Sequence, residues 1–78
     1  MEHAYILVNS EYIRGAAART SYGIALIEEN DGAAHILQTI PNISSDRTQV
    51  EKLVAYCNTL QLHPVHLFDV VDDFLASL

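Results

Sequence analysis

Basic residues, cysteines and helix-breaking residues are all scarce. Four Lys and Arg stand against ten Asp and Glu, for a formal net charge of −6. That balance disfavours generic binding to nucleic acid or to an anionic bilayer, because both are polyanions, and it leaves room for a basic partner. A single cysteine, Cys57, excludes an intrachain disulfide. The N-terminal region lacks the basic and continuous apolar stretches of a secretory signal, so a reduced, cytoplasmic protein is expected. No apolar run approaches the roughly 20 residues that cross a bilayer, and a soluble chain without membrane contact is expected. Charged residues are also few, 18% against 50% apolar, a composition that favours a folded core over disorder. With 78 residues there is room for one core only.

The first half of the chain reads as strands. Ala4 to Ile13 is rich in β-branched and aromatic residues without a helical repeat. Arg14 to Arg19, RGAAAR, breaks the pattern and is expected to be a mobile connector around Gly15. Thr20 to Glu28 is a second strand, and Glu29 to Gly32 supply tight-turn chemistry. A third strand, Ala33 to Ile40, then returns antiparallel and is expected to end at Pro41, which has no backbone donor. The second half reads as helices. Ser45 or Asp46 is a suitable N-cap, with Gln49 at capping-box distance. Val50, Leu53, Val54, Cys57 and Leu60 form one stripe at helical spacing. Pro64 fits the first turn of a second helix, whose stripe of Leu67, Phe68, Val71, Phe74, Leu75 and Leu78 is expected in the core. Residues 1–78 are therefore a single small α+β domain: a three-stranded antiparallel sheet followed by two helices packed on one face, βββαα.

Such a domain hides only roughly 60 to 65% of the surface its unfolded chain exposes, yet half of these residues are apolar. Tyr22, Ile24 and Leu26 point to one face of the second strand and Ala25 and Ile27 to the other, while on the third strand Ile36 and Ile40 oppose Leu37. Two short helices cover one face, so a homodimer or higher oligomer is expected through the other face or through the last helix.

The chemistry-bearing residues are sparse. His66, Asp69 and Asp73 share a helical face with metal-ligand side chains, but nothing near them would dehydrate an ion, and a solvated acidic face of Asp69, Asp72 and Asp73 is the stronger reading. That face is the expected contact for a protein partner. Cys57 lies in the apolar stripe without a cation to stabilise thiolate, and reads as a buried structural thiol. No nucleophile elbow or phosphate loop is present, so no catalytic residue and no cofactor is expected. An anion site is the alternative: Arg19, Thr20, Ser21 and Tyr22 on the second strand meeting Ser44, Ser45 and Arg47 at the first helix start would suit a nucleotide-like ligand. Ordinary capping by Ser45 or Asp46 competes with it.

The segments TSYGIAL and SSDRTQVEKLVAYCNTLQLHPVHLFDVVDDFL resemble a family of short bacterial and phage-borne proteins known only as a domain of unknown function. Its likeness rests on a Y-G-I strand (Tyr22, Gly23), an S-x-D helix start (Ser44 or Ser45 with Asp46), a C-N pair (Cys57, Asn58) and a P-x-H-L-x-D-V-x-x-D-F helix (Pro64, His66, Leu67, Asp69, Asp73, Phe74). The resemblance implies a shared fold and no known activity; occurrence in mobile elements implies a small regulatory or counter-defence protein. A non-catalytic binding protein that regulates or inhibits a larger protein is the leading expectation, ahead of an oligomer that sequesters a nucleotide-like anion and of a small metal protein or enzyme.

Overall fold

Three long strands, each carrying several β-branched residues, precede the helices. The computed structural model describes residues 2–77, with β1 at Glu2–Arg14, β2 at Ala17–Asn30, β3 at Ala33–Ser44, α1 at Arg47–Thr59 and α2 at Leu67–Ala76. The sheet is antiparallel throughout in the order β1-β2-β3. Both helices contribute to one core on a single face of the sheet.

The RGAAAR segment is not a loose connector. Gly15 and Ala16 form a two-residue turn, with Gly15 at φ 64°, and the flanking residues pair as Arg14 with Ala17, Ile13 with Ala18 and Tyr12 with Arg19. A positive φ at the first turn position suits the twist of a two-residue hairpin, and glycine reaches it without a Cβ penalty. The three alanines are thus absorbed into one continuous ribbon, whose residues 11–19 are all exposed. At the other end of β2, Asp31 and Gly32 both take positive φ, the signature of the mirror-image turn expected there.

Pro41 does not end β3. The strand continues to Ser44 through an irregularity in which Tyr22 pairs with Ser44 and Ile24 with Ile40, leaving Pro41, Asn42 and Ile43 opposite Gly23 alone. A proline is tolerated because β3 is an edge strand. A side chain at Gly23 would overlap the Ile40 carbonyl and lie 2.8 Å from the Pro41 Cα. Close backbone approach is therefore what requires glycine here.

A second irregularity inserts Leu37 between the pairs Leu26 with Gln38 and Ile27 with Ile36. The expectation that Ile36 and Ile40 share a face fails for this reason. Ile40 pairs with Ile24 and packs against the core, whereas Ile36 sits beside Ile27 on the opposite face and is 64% exposed.

The core lies between the sheet and the helices: Tyr5, Ile24, Leu26 and Ile43 meet Val50, Leu53 and Cys57 of α1 and Leu67 and Val71 of α2. Asp46 caps α1, its carboxylate accepting from the amides of Thr48 at 3.0 Å and Gln49 at 3.4 Å. The core stripe of α2 is narrower than its apolar spacing suggests. Phe74 is only half-buried, Phe68 and Leu75 are exposed, and Leu78 lies outside the described residues. Leu60 of the α1 stripe is likewise exposed.

Candidate functional site

Three regions collect polar and titratable side chains. The first is the junction where β1 meets the end of α1. Tyr5 turns its backbone away from β2, and the Asn58 carboxamide meets it head on: the Tyr5 amide donates to Asn58 Oδ1 and Asn58 Nδ2 donates to the Tyr5 carbonyl, both at 2.8 Å. The side chain thus imitates a neighbouring strand over one residue of an open edge. The Tyr5 hydroxyl donates to the Leu62 carbonyl at 2.7 Å. A concavity of about 640 Å³ opens beside this junction, with His3, Gln61 and His63 on its rim and Tyr5 and Cys57 in its wall. Burial raises the Cys57 thiol above its usual pKa, and burial with the neighbouring thiol raises the Tyr5 phenol. Both are held in their protonated, unreactive forms.

The second region is a cleft of about 410 Å³ between the helices. Leu53 and Tyr56 of α1 face Val70 and Phe74 of α2, with Gln49 and Lys52 on one lip and Asp73 on the other. Asp69, Asp72 and Asp73 are all exposed. Steps of three and four along a helix make Asp69 a neighbour of both Asp72 and Asp73, and of the three only Asp73 lines the apolar cleft. Tyr56, which lines the cleft, is 55% exposed.

His66 does not join this row as part of a metal cluster. It precedes α2 and meets His63 edge to face, with ring centroids 6.4 Å apart, while His63 Nδ1 accepts from the Val65 amide at 3.2 Å. Among the described residues no three His, Cys, Asp or Glu side chains converge closely enough to hold one ion.

The third region is the outer part of the β1–β2 ribbon, which contains part of the expected anion site. Arg19, Thr20 and Ser45 line a concavity of about 530 Å³ together with Tyr12 and Arg14. Ser21, Ser44 and Ser45 line an adjoining one with Tyr12 and Asn42. The Ser21 hydroxyl donates to the Ser44 carbonyl at 3.4 Å, and Ser44 Oγ accepts from the Asp46 amide at 3.0 Å. Two expected members stand apart. Tyr22 packs on the core side of the sheet, and Arg47 pairs along its own helix with Glu51 at 2.6 Å. Asp46 already occupies amides at the helix start, so capping has taken the place an anion would use. Tyr12 supplies the aromatic surface that Tyr22 does not. Its signal in the sequence is the hairpin register: a turn at Gly15 and Ala16 makes Tyr12 the cross-strand neighbour of Arg19 and brings Arg14 alongside.

No helix among the described residues is long and apolar enough to cross a membrane. Neither a curated protein nor a solved structure gives a significant match to this chain. The model of DUF6514, a family of unknown function, matches residues 1–77. That span takes in the Tyr22–Gly23 strand, the Asp46 cap, the Cys57–Asn58 pair and the acidic helix, and the chain belongs to the DUF6514 family.

Proposed function

We propose that this chain is a non-catalytic binding protein that regulates or inhibits a larger protein. The observation that carries the reading is the helix–helix cleft: an apolar floor of Leu53, Tyr56, Val70 and Phe74 with Asp73 on its lip, and Asp69 and Asp72 exposed farther around the same helix. The complementary ligand is a protein segment with an apolar anchor flanked by Lys or Arg. Apolar burial would supply affinity, and the acidic row would speed encounter. Burial raises the pKa of both Tyr5 and Cys57, so neither is offered as a nucleophile. The test is affinity capture with the intact chain from its native host, followed by rate measurements on the captured partner. Changing Asp69, Asp72 and Asp73 together to Asn should slow association and flatten its salt dependence, and Tyr56→Glu should speed dissociation. A partner indifferent to both changes would refute this site.

The ribbon concavity favours a second reading, sequestration of a nucleotide-like anion. Arg14 and Arg19 beside Tyr12 and Ser45 offer guanidinium forks and an aromatic face. Native mass spectrometry of the purified protein should then show a bound anion, and Arg14→Ala and Arg19→Ala should each weaken it. Absence of both a bound mass and a nucleotide-dependent rise in melting temperature would discard this reading.

A further inference from the structure

The helices cover one face of the sheet, and the other face has a definite pattern of its own. Register places Ile6, Val8, Ile27 and Ile36 together on that open face around a fully buried Ala25, without a charged residue among them. Ile6 is 37% exposed and Ile36 64%. The same face is charged only toward its ends. Following β2 in steps of two, Arg19 lies at the ribbon end beside Tyr12, and Glu29 lies at the opposite end beside Ala34. Arg14 strengthens the basic end from β1, and Asp31 lies in the turn beyond the acidic one.

We propose that a second copy of this chain stacks on the open face, related by a two-fold axis that lies in the interface and runs across the strands. Such an axis turns each strand end for end over its counterpart, so the basic end of one copy meets the acidic end of the other. Arg19 and Glu29 are ten residues apart on β2, about 33 Å at strand rise. Their midpoint is Ile24, which pairs with Leu7. An axis at that level sets Arg19 over Glu29 of the second copy and Ile6 over its Val8. Both contacts occur twice.

Charge selects this face over the helix layer. A chain of net charge −6 repels its own copies, and pairing through the helices would set one row of Asp69, Asp72 and Asp73 near another. Stacking through the sheet keeps those rows outward and uses two of only four basic side chains against acidic ones. A standard interface of about 800 Å² per partner would take about one-seventh of the 5362 Å² surface, within reach of a face as long as the ribbon.

Sedimentation equilibrium at micromolar to millimolar concentration should give twice the 8.7 kDa chain mass. Arg19→Glu and Glu29→Arg, each at an exposed site, should separately weaken the dimer at least tenfold. An equimolar mixture of the two variants should restore it, because in the mixed dimer both end contacts again join opposite charges. Ile6→Asp with Ile36→Asp should yield a monomer, with circular dichroism reporting the fold of every variant. A monomeric wild-type chain at all concentrations would overturn the proposal. So would a dimer that survives the sheet substitutions, or a charge-swapped mixture no tighter than its components.

Discussion

Removing the Asn58 carboxamide tests whether β1 is held to the body by the junction seen here. Asn58→Ala deletes two hydrogen bonds of 2.8 Å and leaves the amide and carbonyl of Tyr5 without a protein partner. Each bond contributes about 0.5–1.5 kcal/mol net, so the pair is worth about 1–3 kcal/mol. Asn58 lies at the surface, and water recovers part of that loss. Alanine's better helix propensity returns about 0.5 kcal/mol more. The expected net loss is about 1 kcal/mol, read as a lower urea midpoint at constant slope and a melting temperature lower by roughly 4–8 °C. Asn58→Asp should be worse than alanine at neutral pH, because a carboxylate would confront the Tyr5 carbonyl with no proton to donate. Relative to wild type it should recover on acidification, when the protonated carboxyl can donate again. Tyr5→Phe removes the bond to Leu62 and should cost about 1 kcal/mol. Because both substitutions release the same strand, the double variant should lose less than the sum. A neutral or stabilising Asn58→Ala, or strict additivity with Tyr5→Phe, would refute the argument that these bonds act as one clamp.

Gly23→Ala should destabilise by more than about 2 kcal/mol in denaturant titration, since its methyl would meet backbone that cannot rotate away; a shift under 0.5 kcal/mol, roughly that of a surface change, would show that the β3 irregularity yields. Asp46→Ala should cost about 1 kcal/mol by the same assay, through loss of the α1 cap. Melting temperature should also fall above about pH 9. The folded thiol of Cys57 and phenol of Tyr5 hold their protons more tightly than the unfolded chain does, so this stabilisation is complete below their unfolded pKa values and lost as pH rises through the folded ones. Cys57→Ala should flatten the first part of that decline, and an unchanged alkaline profile would contradict the burial argument. The native thiol should react with an aromatic disulfide reagent far more slowly than the unfolded one, and equal rates would place Cys57 at the surface.

Local chemistry made much of this architecture legible. The Asp46 cap, the Asp31–Gly32 turn and the buried stripe of Val50, Leu53 and Cys57 all follow from residues within a turn of one another, whereas Pro64 opens a short 3-10 turn, Pro64–His66, ahead of α2 instead of lying in its first turn. What escaped depends on register. Three alanines beside Gly15 carry little strand propensity, and their pairing is imposed by the flanking strands. The extra residue at Leu37 reverses the face of Ile36 relative to Ile40, which alternation alone cannot show. The α2 stripe promised more burial than it received because Leu67 and Val71 already fill the space against the core. In the candidate sites, the acidic row was readable from helical spacing. The ribbon cluster was readable only in part, since substituting Tyr12 for Tyr22 requires knowing where the hairpin turns.

The pairing of Tyr5 with Asn58 spans 53 positions of the chain, and that separation sets an order of events during synthesis. At about 5–20 residues per second, roughly 3–10 s pass between the addition of Tyr5 and that of Asn58. Through that interval the outward backbone groups of Tyr5 have no carboxamide to meet. Until α1 forms, a β1–β2 hairpin presents the unpaired backbone groups of Tyr5 to any extended peptide. Formation of α1 then covers that edge at Tyr5, so the same asparagine that steadies the finished protein also shields this one position of β1 from foreign strands.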